Sequence, residues 1–338
     1  MFRDRITDPS DINYLDSLVR TELETIFKET SLELSTIYDD SILFGDYMER
    51  DSVHYCQITE DAFLLEEILL DYLQDFNIAG ANVKGFEELQ LVFFNDAILH
   101  LSRVCRILRQ PRGHALLCGM QGTGRRSLIK LASHIYNFTF ISLEKYRSLD
   151  KQRVYEEYKQ ILINSAIKGI PTVLLITEDE LLNESLVEDI NNLVSLGDIP
   201  GLFDKQDIER IITQITQRIN IKRNTTIDRD SLWQIFLSNI QSKIHVVICA
   251  TLQNLSMLKI WRQYPSLITS CTIDSFNSWP QSAMYAVASK VIQNHSLEVG
   301  STEFSQIGSE KQKHAVASMF VVLHSLMEDF IKKYSEVL

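Results

Sequence analysis

Gly119-Met120-Gln121-Gly122-Thr123-Gly124-Arg125-Arg126-Ser127 joins a short apolar run, HALLCG at 114–119, to a segment of helical periodicity at 125–136. A strand that runs into a glycine-rich turn and opens a helix is the setting of a phosphate-binding loop. Three glycines let the backbone bend tightly, so successive N–H groups can face one anion. The helix N-terminus adds its partial positive charge. Every residue from Gly119 to Ser127 is therefore a candidate for holding the phosphates of ATP or ADP. The bland alternative is a glycine-rich strand-to-helix turn that binds nothing.

Outward from this loop the pattern repeats. NFTFISL (137–143), IPTVLLITEDE (170–180), IHVVICAT (244–251) and ITSCTIDSF (268–276) are further short apolar runs, with helical patterns at 150–168 and between 183 and 242. Apolar strands alternating with helices predict an α/β fold with a five-stranded parallel sheet covered on both faces. Before the sheet, residues 11–36, 61–75 and 86–108 read as helices, the last ended by Gln110-Pro111-Arg112-Gly113. SILFGDYMERDSVHY (41–55) reads as a loop or turn region. After the sheet, Trp279-Pro280 opens one helix and 309–337 form another.

Net charge is −12, and residues 1–80 hold 19 acids against 5 Lys/Arg, a net of −14, which leaves +2 for the rest. Such an acidic lead argues against a nucleic-acid partner there and reads most simply as a solvated face. No run approaches the roughly 20 apolar residues of a membrane helix, so no membrane partner is expected. The first residues carry no apolar signal core. None of the five cysteines forms a C-x-x-C pair; they read as buried reduced thiols rather than a zinc site.

The loop departs from G-x-x-x-x-G-K-[ST]. Arg125 stands at the lysine position, Arg126 at the magnesium-binding hydroxyl, and Ser127 comes one place late. Arginine keeps the charge but is planar and bulkier, and no arginine ligates Mg²⁺. At the end of the third strand an aspartate would hold the metal shell and a glutamate would polarise water. Here Thr177 fills the first place and Glu178 the second. Glu178 is thus the candidate catalytic carboxylate, with Asp179 and Ser127 as candidate Mg²⁺ ligands; the acids are equally readable as a polar strand end. Thr251, closing the fourth strand, is a candidate γ-phosphate sensor. Arg262 is a candidate finger offered to a neighbouring module, or an ordinary surface residue.

GMQGTGRRSLIKLA is similar to the loop of the fourth AAA+ module of axonemal dynein heavy chains, which reads like GVGGSGRQSLTRLA. PTVLLITEDELLNESLVEDINNLVSLGDIPGLF resembles that family's third strand and following helix. LVFFNDAILHLSRVCRILRQPRGHALLCG resembles its lead-in helix and first strand, and RQYPSLITSCTIDSFNSWPQSAM its fifth strand and the opening of its small subdomain. FRDRITDP resembles the close of the preceding third module. KHAVASMFVVLHSLMEDFIKKYSEVL resembles the helix that leads towards the stalk. Arginine for lysine is a trait of that family; Arg126 replaces its usual glutamine.

The resemblance implies a P-loop AAA+ sheet with three parts: 1–80 closing the preceding module, 81–277 as the large α/β subdomain, and 278–338 opening the small helical subdomain. It implies a fragment of a minus-end-directed microtubule motor of cytoplasm, cytoskeleton and the axoneme of a cilium or flagellum. Its partners would be the other AAA+ modules, intermediate and light chains, and microtubules. The module would bind nucleotide in a regulatory role and hydrolyse it little or not at all alone, because an arginine finger from a neighbour contributes a factor of roughly 10³–10⁵ in related enzymes. Two rival readings are an active ATPase and a structural ring module with an empty loop.

Overall fold

The computed structural model describes residues 5–6, 8–26, 44–48, 54–58, 62–83, 86–146, 151–220, 228–251, 255–298 and 310–335. The chain forms two compact units, residues 1–89 with 99–276, and residues 90–98 with 277–338.

In the first unit five parallel strands make one sheet: β3 His114–Gly119, β4 Thr139–Ser142, β5 Thr172–Thr177, β6 Ile244–Ala250 and β7 Cys271–Phe276, in the order β4-β5-β6-β3-β7. Every residue of β5 and β6 is buried, whereas the edge strands β4 and β7 are only partly covered. That difference follows from helices lying on both faces of the inner strands, which selects unbroken Val/Ile/Leu runs. β3 pairs with β6 (Leu117 opposite Cys249) and β7 (Gly119 opposite Phe276). The carboxyl ends of β3, β5 and β6 therefore meet at one rim, where ligands bind in open parallel sheets.

The covering helices are α4 Arg125–Ile135, α5 Lys151–Ile163, α6 Glu178–Leu181, α7 Glu184–Leu196, α8 Lys205–Asn220, α9 Arg229–Lys243, α10 Leu255–Gln263 and α11 Ser266–Thr269. They close a core in which Phe236 of α9 is wholly buried and packs edge-on to Phe203. α5 runs into one π-turn, Asn164–Lys168, and stops at Gly169, whose φ of 76° suits a residue without Cβ.

The lead-in contains α1 Pro9–Ile26, the two-residue hairpin strands β1 Phe44–Gly45 and β2 Cys56–Gln57, α2 Ala62–Gly80 and α3 Asn95–Arg109. The helix expected over 11–36 is seen to Ile26; residues 27–43 lie outside the described ones. The loop expected at 41–55 carries β1. The helix expected from Phe86 begins only at Asn95. Asn77 explains part of the shortfall: its side-chain amide donates to the Leu89 carbonyl (3.0 Å) and its oxygen accepts the Leu89 N–H (2.9 Å), holding that backbone extended.

The hairpin is tied to the sheet unit through polar anchors. The buried Asp46 carboxylate pairs with Arg109 (2.5 Å) and accepts from the Tyr136 hydroxyl (2.5 Å). The Tyr47 hydroxyl meets that of Ser102 (2.7 Å). On β7, buried Asp274 is held by His100 (2.7 Å) and Arg103 (2.9 Å) of α3.

The second unit contains α12 Gln281–Glu298 and α13 Glu310–Ser335. Ala97, Ala283 and Ala317 are among its buried residues, Tyr285 lies against His314 (ring centroids 4.9 Å), and Phe94 packs edge-on to Trp279. Among the described residues no helix is long and apolar enough to cross a membrane. Four cysteines are buried and Cys56 is exposed, all unpaired.

Candidate nucleotide site

The glycine loop turns where the sequence demands it. Gly122 and Gly124 have φ of 85° and 86°, a region that side chains resist. A Cβ built on either would meet nothing within 4 Å, so the loop wall faces open space. α4 starts at Arg125 with Gly124 as a cap that supplies no side-chain acceptor, leaving its first turn to other partners. Gly119 is a glycine for a different reason: an added Cβ would lie 2.8 Å from both the Cβ and the carbonyl oxygen of Phe276 on β7.

In front of the loop lies a cavity of about 570 Å³, lined by Gln121 to Ser127 on one side and by Thr177, Glu178, Asp179 and Cys249 on the other. The structure thus gathers Gln121, Gly122, Thr123, Gly124, Arg125, Arg126, Ser127, Glu178 and Asp179 into one place. Gly119 and Met120 precede the lining residues; the Met120 carbonyl accepts from the Thr123 hydroxyl (3.0 Å). Thr251 is not among the lining residues but is bonded to two residues of the site: its N–H donates to a Glu178 carboxylate oxygen and its hydroxyl to the Gly119 carbonyl (3.4 Å). Arg262 is exposed in the last turn of α10 and does not line this cavity.

Arg125 is the residue whose behaviour the sequence conceals. It is 8% exposed. One terminal nitrogen donates to the carbonyls of Leu117 (3.1 Å) and Ala250 (2.9 Å), the other to that of Met120 (2.9 Å). Its fork therefore staples the ends of β3 and β6 to the loop. Arg126, also on the cavity lining, pairs with Glu144 (2.9 Å), a half-exposed ion pair of the kind that contributes at most about 1 kcal/mol.

Thr177 is equally engaged. The buried Glu180 carboxylate accepts its N–H (2.8 Å) and its hydroxyl, a capping box at the start of α6. The signal was present in the sequence as Thr-x-x-Glu at 177–180. The approach of Glu144 to Arg126 and the presence of Cys249 in the wall had no such local signal. Burial pushes the Cys249 thiol up to about 12, so it faces the cavity as a neutral thiol.

Phosphates fit this site. Open loop glycines, a helix N-terminus without a side-chain cap and a cavity of ligand size converge there. Of the metal-shell positions, Thr177 is bound to Glu180 and Arg126 cannot serve as a ligand, while Ser127 and Asp179, the candidate magnesium ligands, both line the cavity. Among the described residues no group of three or more His, Cys, Asp or Glu could hold a metal.

A parallel sheet of this order with a glycine loop between β3 and α4 defines a P-loop nucleoside triphosphatase fold. The chain belongs to the family described as P-loop-containing dynein motor region D4, which matches residues 89–338. It is similar to human dynein axonemal heavy chain 6, with 30% identity over 339 residues, 99% of this chain and 8% of that protein. Mouse dynein axonemal heavy chain 1 is 31% identical over 85% of this chain and 7% of its own length. The Chlamydomonas reinhardtii dynein-1-beta heavy chain of the flagellar inner arm I1 complex is 28% identical over 96% of this chain and 7% of its own. The chain thus spans less than a tenth of each of these relatives.

Proposed function

We propose that this chain is a regulatory, nucleotide-binding module of an axonemal dynein heavy chain that hydrolyses ATP slowly or not at all. On this reading residues 1–80 close the preceding ring module, 81–277 form the large subdomain and 278–338 open the small helical one. The module works in the axoneme of a cilium or flagellum. Its neighbours in the ring, intermediate and light chains, and microtubules are partners of the larger motor.

The observation that carries the reading is the contrast within one cavity. Residues 121–127 line it, while the Arg125 and Thr177 side chains that would manage a γ-phosphate and its metal are hydrogen-bonded to other protein groups. Glu178, the candidate water-polarising base, has one oxygen on the Thr251 N–H. Binding then rests on backbone amides and helix polarity, with transition-state stabilisation weak.

Calorimetric titration with ATP and ADP, paired with a Mg²⁺-dependent turnover assay, tests this. Saturable binding without turnover is expected. Turnover lost in Glu178→Gln would make the module an active ATPase. No binding of either nucleotide would make it a structural ring element.

A further inference from the structure

We infer that a second cavity, between α5 and α7, is a binding site for a guanidinium group on an apolar stem, with Asp189 as its ion-pair partner. This site is separate from the glycine loop and does not depend on nucleotide.

The cavity holds about 410 Å³, room for an arginine side chain. Leu143, Val154 and Leu186 give it an apolar wall, the kind of surface on which the methylenes of a long cationic side chain rest. Asp189 of α7 also lines it and is 8% exposed. Burial raises this carboxyl above the usual aspartate range, and outweighs the hydrogen bond from Tyr155 and the charge of Lys151 that act the other way. Lys151 is exposed, so water screens its help. A nine-tenths buried carboxylate still short of compensation after these partners are counted is relieved by a cation brought from outside.

Three phenols complete the lining: Tyr146, and Tyr155 and Tyr158 of α5. Lys145 stands over the Tyr146 ring (4.7 Å) and Lys151 over the Tyr155 ring (5.3 Å), so two of the rings already hold a cation. Tyr158 is 6% exposed. Burial raises its hydroxyl, and Asp189, Tyr146, Tyr155 and Glu180 each add in the same direction. All four disfavour a further anion at that point, which sets the sign of the ligand. Guanidinium suits the place better than ammonium, because its planar fork meets a carboxylate through two N–H groups and lies flat on an aromatic ring.

Saturation-transfer NMR on the full 338-residue chain tests this with methylguanidinium, its neutral isostere N-methylurea and a capped Gly-Arg-Gly peptide, at constant ionic strength. Methylguanidinium is expected to bind at least about tenfold more tightly than N-methylurea, the difference that a charged hydrogen bond makes. Asp189→Asn, with its fold checked by thermal unfolding, is expected to weaken methylguanidinium binding at least about tenfold. Lys151→Gln removes a competing cation at an exposed position, where folding is not at stake, and is expected to tighten binding about threefold. Peptide binding at least as tight as that of methylguanidinium supports the site with a partner protein's arginine as occupant; binding of methylguanidinium alone supports it with a free small cation. Equal binding of N-methylurea, a folded Asp189→Asn chain that binds unchanged, or a Lys151→Gln chain that binds more weakly would each overturn the inference.

Discussion

Replacing Thr177 by aspartate restores the residue that a magnesium-binding strand end carries, yet here it should damage the protein. The Glu180 carboxylate lies buried at 3% exposure and accepts both the N–H and the hydroxyl of Thr177. An aspartate would lose the hydroxyl donor, worth about 1.5–3 kcal/mol when the acceptor is charged. It would also set a second carboxylate beside the first; at 4 Å and an effective dielectric of 20 the repulsion is about 4 kcal/mol. Movement of the two side chains apart relieves part of this. A net loss of roughly 4 kcal/mol is expected, on the order of 10 °C in Tm for a unit of this size. Thermal and urea denaturation of Thr177→Asp, Glu180→Gln and the double variant measure it. The double variant should recover stability relative to Thr177→Asp, because the repulsion is gone, and saturating Mg²⁺ should stabilise Thr177→Asp alone. A Thr177→Asp chain as stable as the native one, without metal, would refute the account of the capping box.

Other outcomes follow from neighbouring features. Gly119→Val should lower stability by about 2 kcal/mol or more, since the new side chain meets Phe276 of the adjacent strand; denaturation of the isolated variant reads this directly. Asp274→Ala should lower stability by about 2 kcal/mol, chiefly through the hydrogen bond lost to the nearly buried His100, since the more exposed Arg103 can turn to solvent, whereas Asp274→Asn should lose less. His114 is held down to about 4, chiefly by burial, with His245 and Arg112 adding. The folded chain therefore stays unprotonated there while the unfolded chain takes up a proton below its ordinary 6.5. Stability is untouched above pH 6.5 and falls by roughly 3 kcal/mol as pH drops to about 4. The His114 ring resonance should still report a neutral imidazole at pH 5, and titration near 6.5 would contradict this.

The sheet was readable in sequence because each buried parallel strand is an unbroken apolar run, so HALLC, TVLLIT and IHVVICA announce themselves. The loop was readable because its glycines have to carry positive φ. Residues 86–94 misled because Phe86, Leu89, Leu91 and Phe93 suit either a helix or an extended strip, and the choice is made by Asn77, 12 residues away from Leu89. The direction of Arg125 was illegible for the same kind of reason. One of its acceptors, the Ala250 carbonyl, is 125 residues distant and exists as a target only once β6 lies beside β3. Thr177 is the opposite case: its partner is three residues on, and the pattern was open to inspection.

Asp46 has a consequence for anyone who cuts this chain. Its carboxylate reaches both Arg109 and Tyr136, and Tyr47 beside it is 1% exposed against Ser102. Cleavage between residues 80 and 81 would strip these caps and uncover the apolar surface beneath Tyr47 and Leu69. Such a shortened product should clump during expression even though its glycine loop and all five parallel strands are intact.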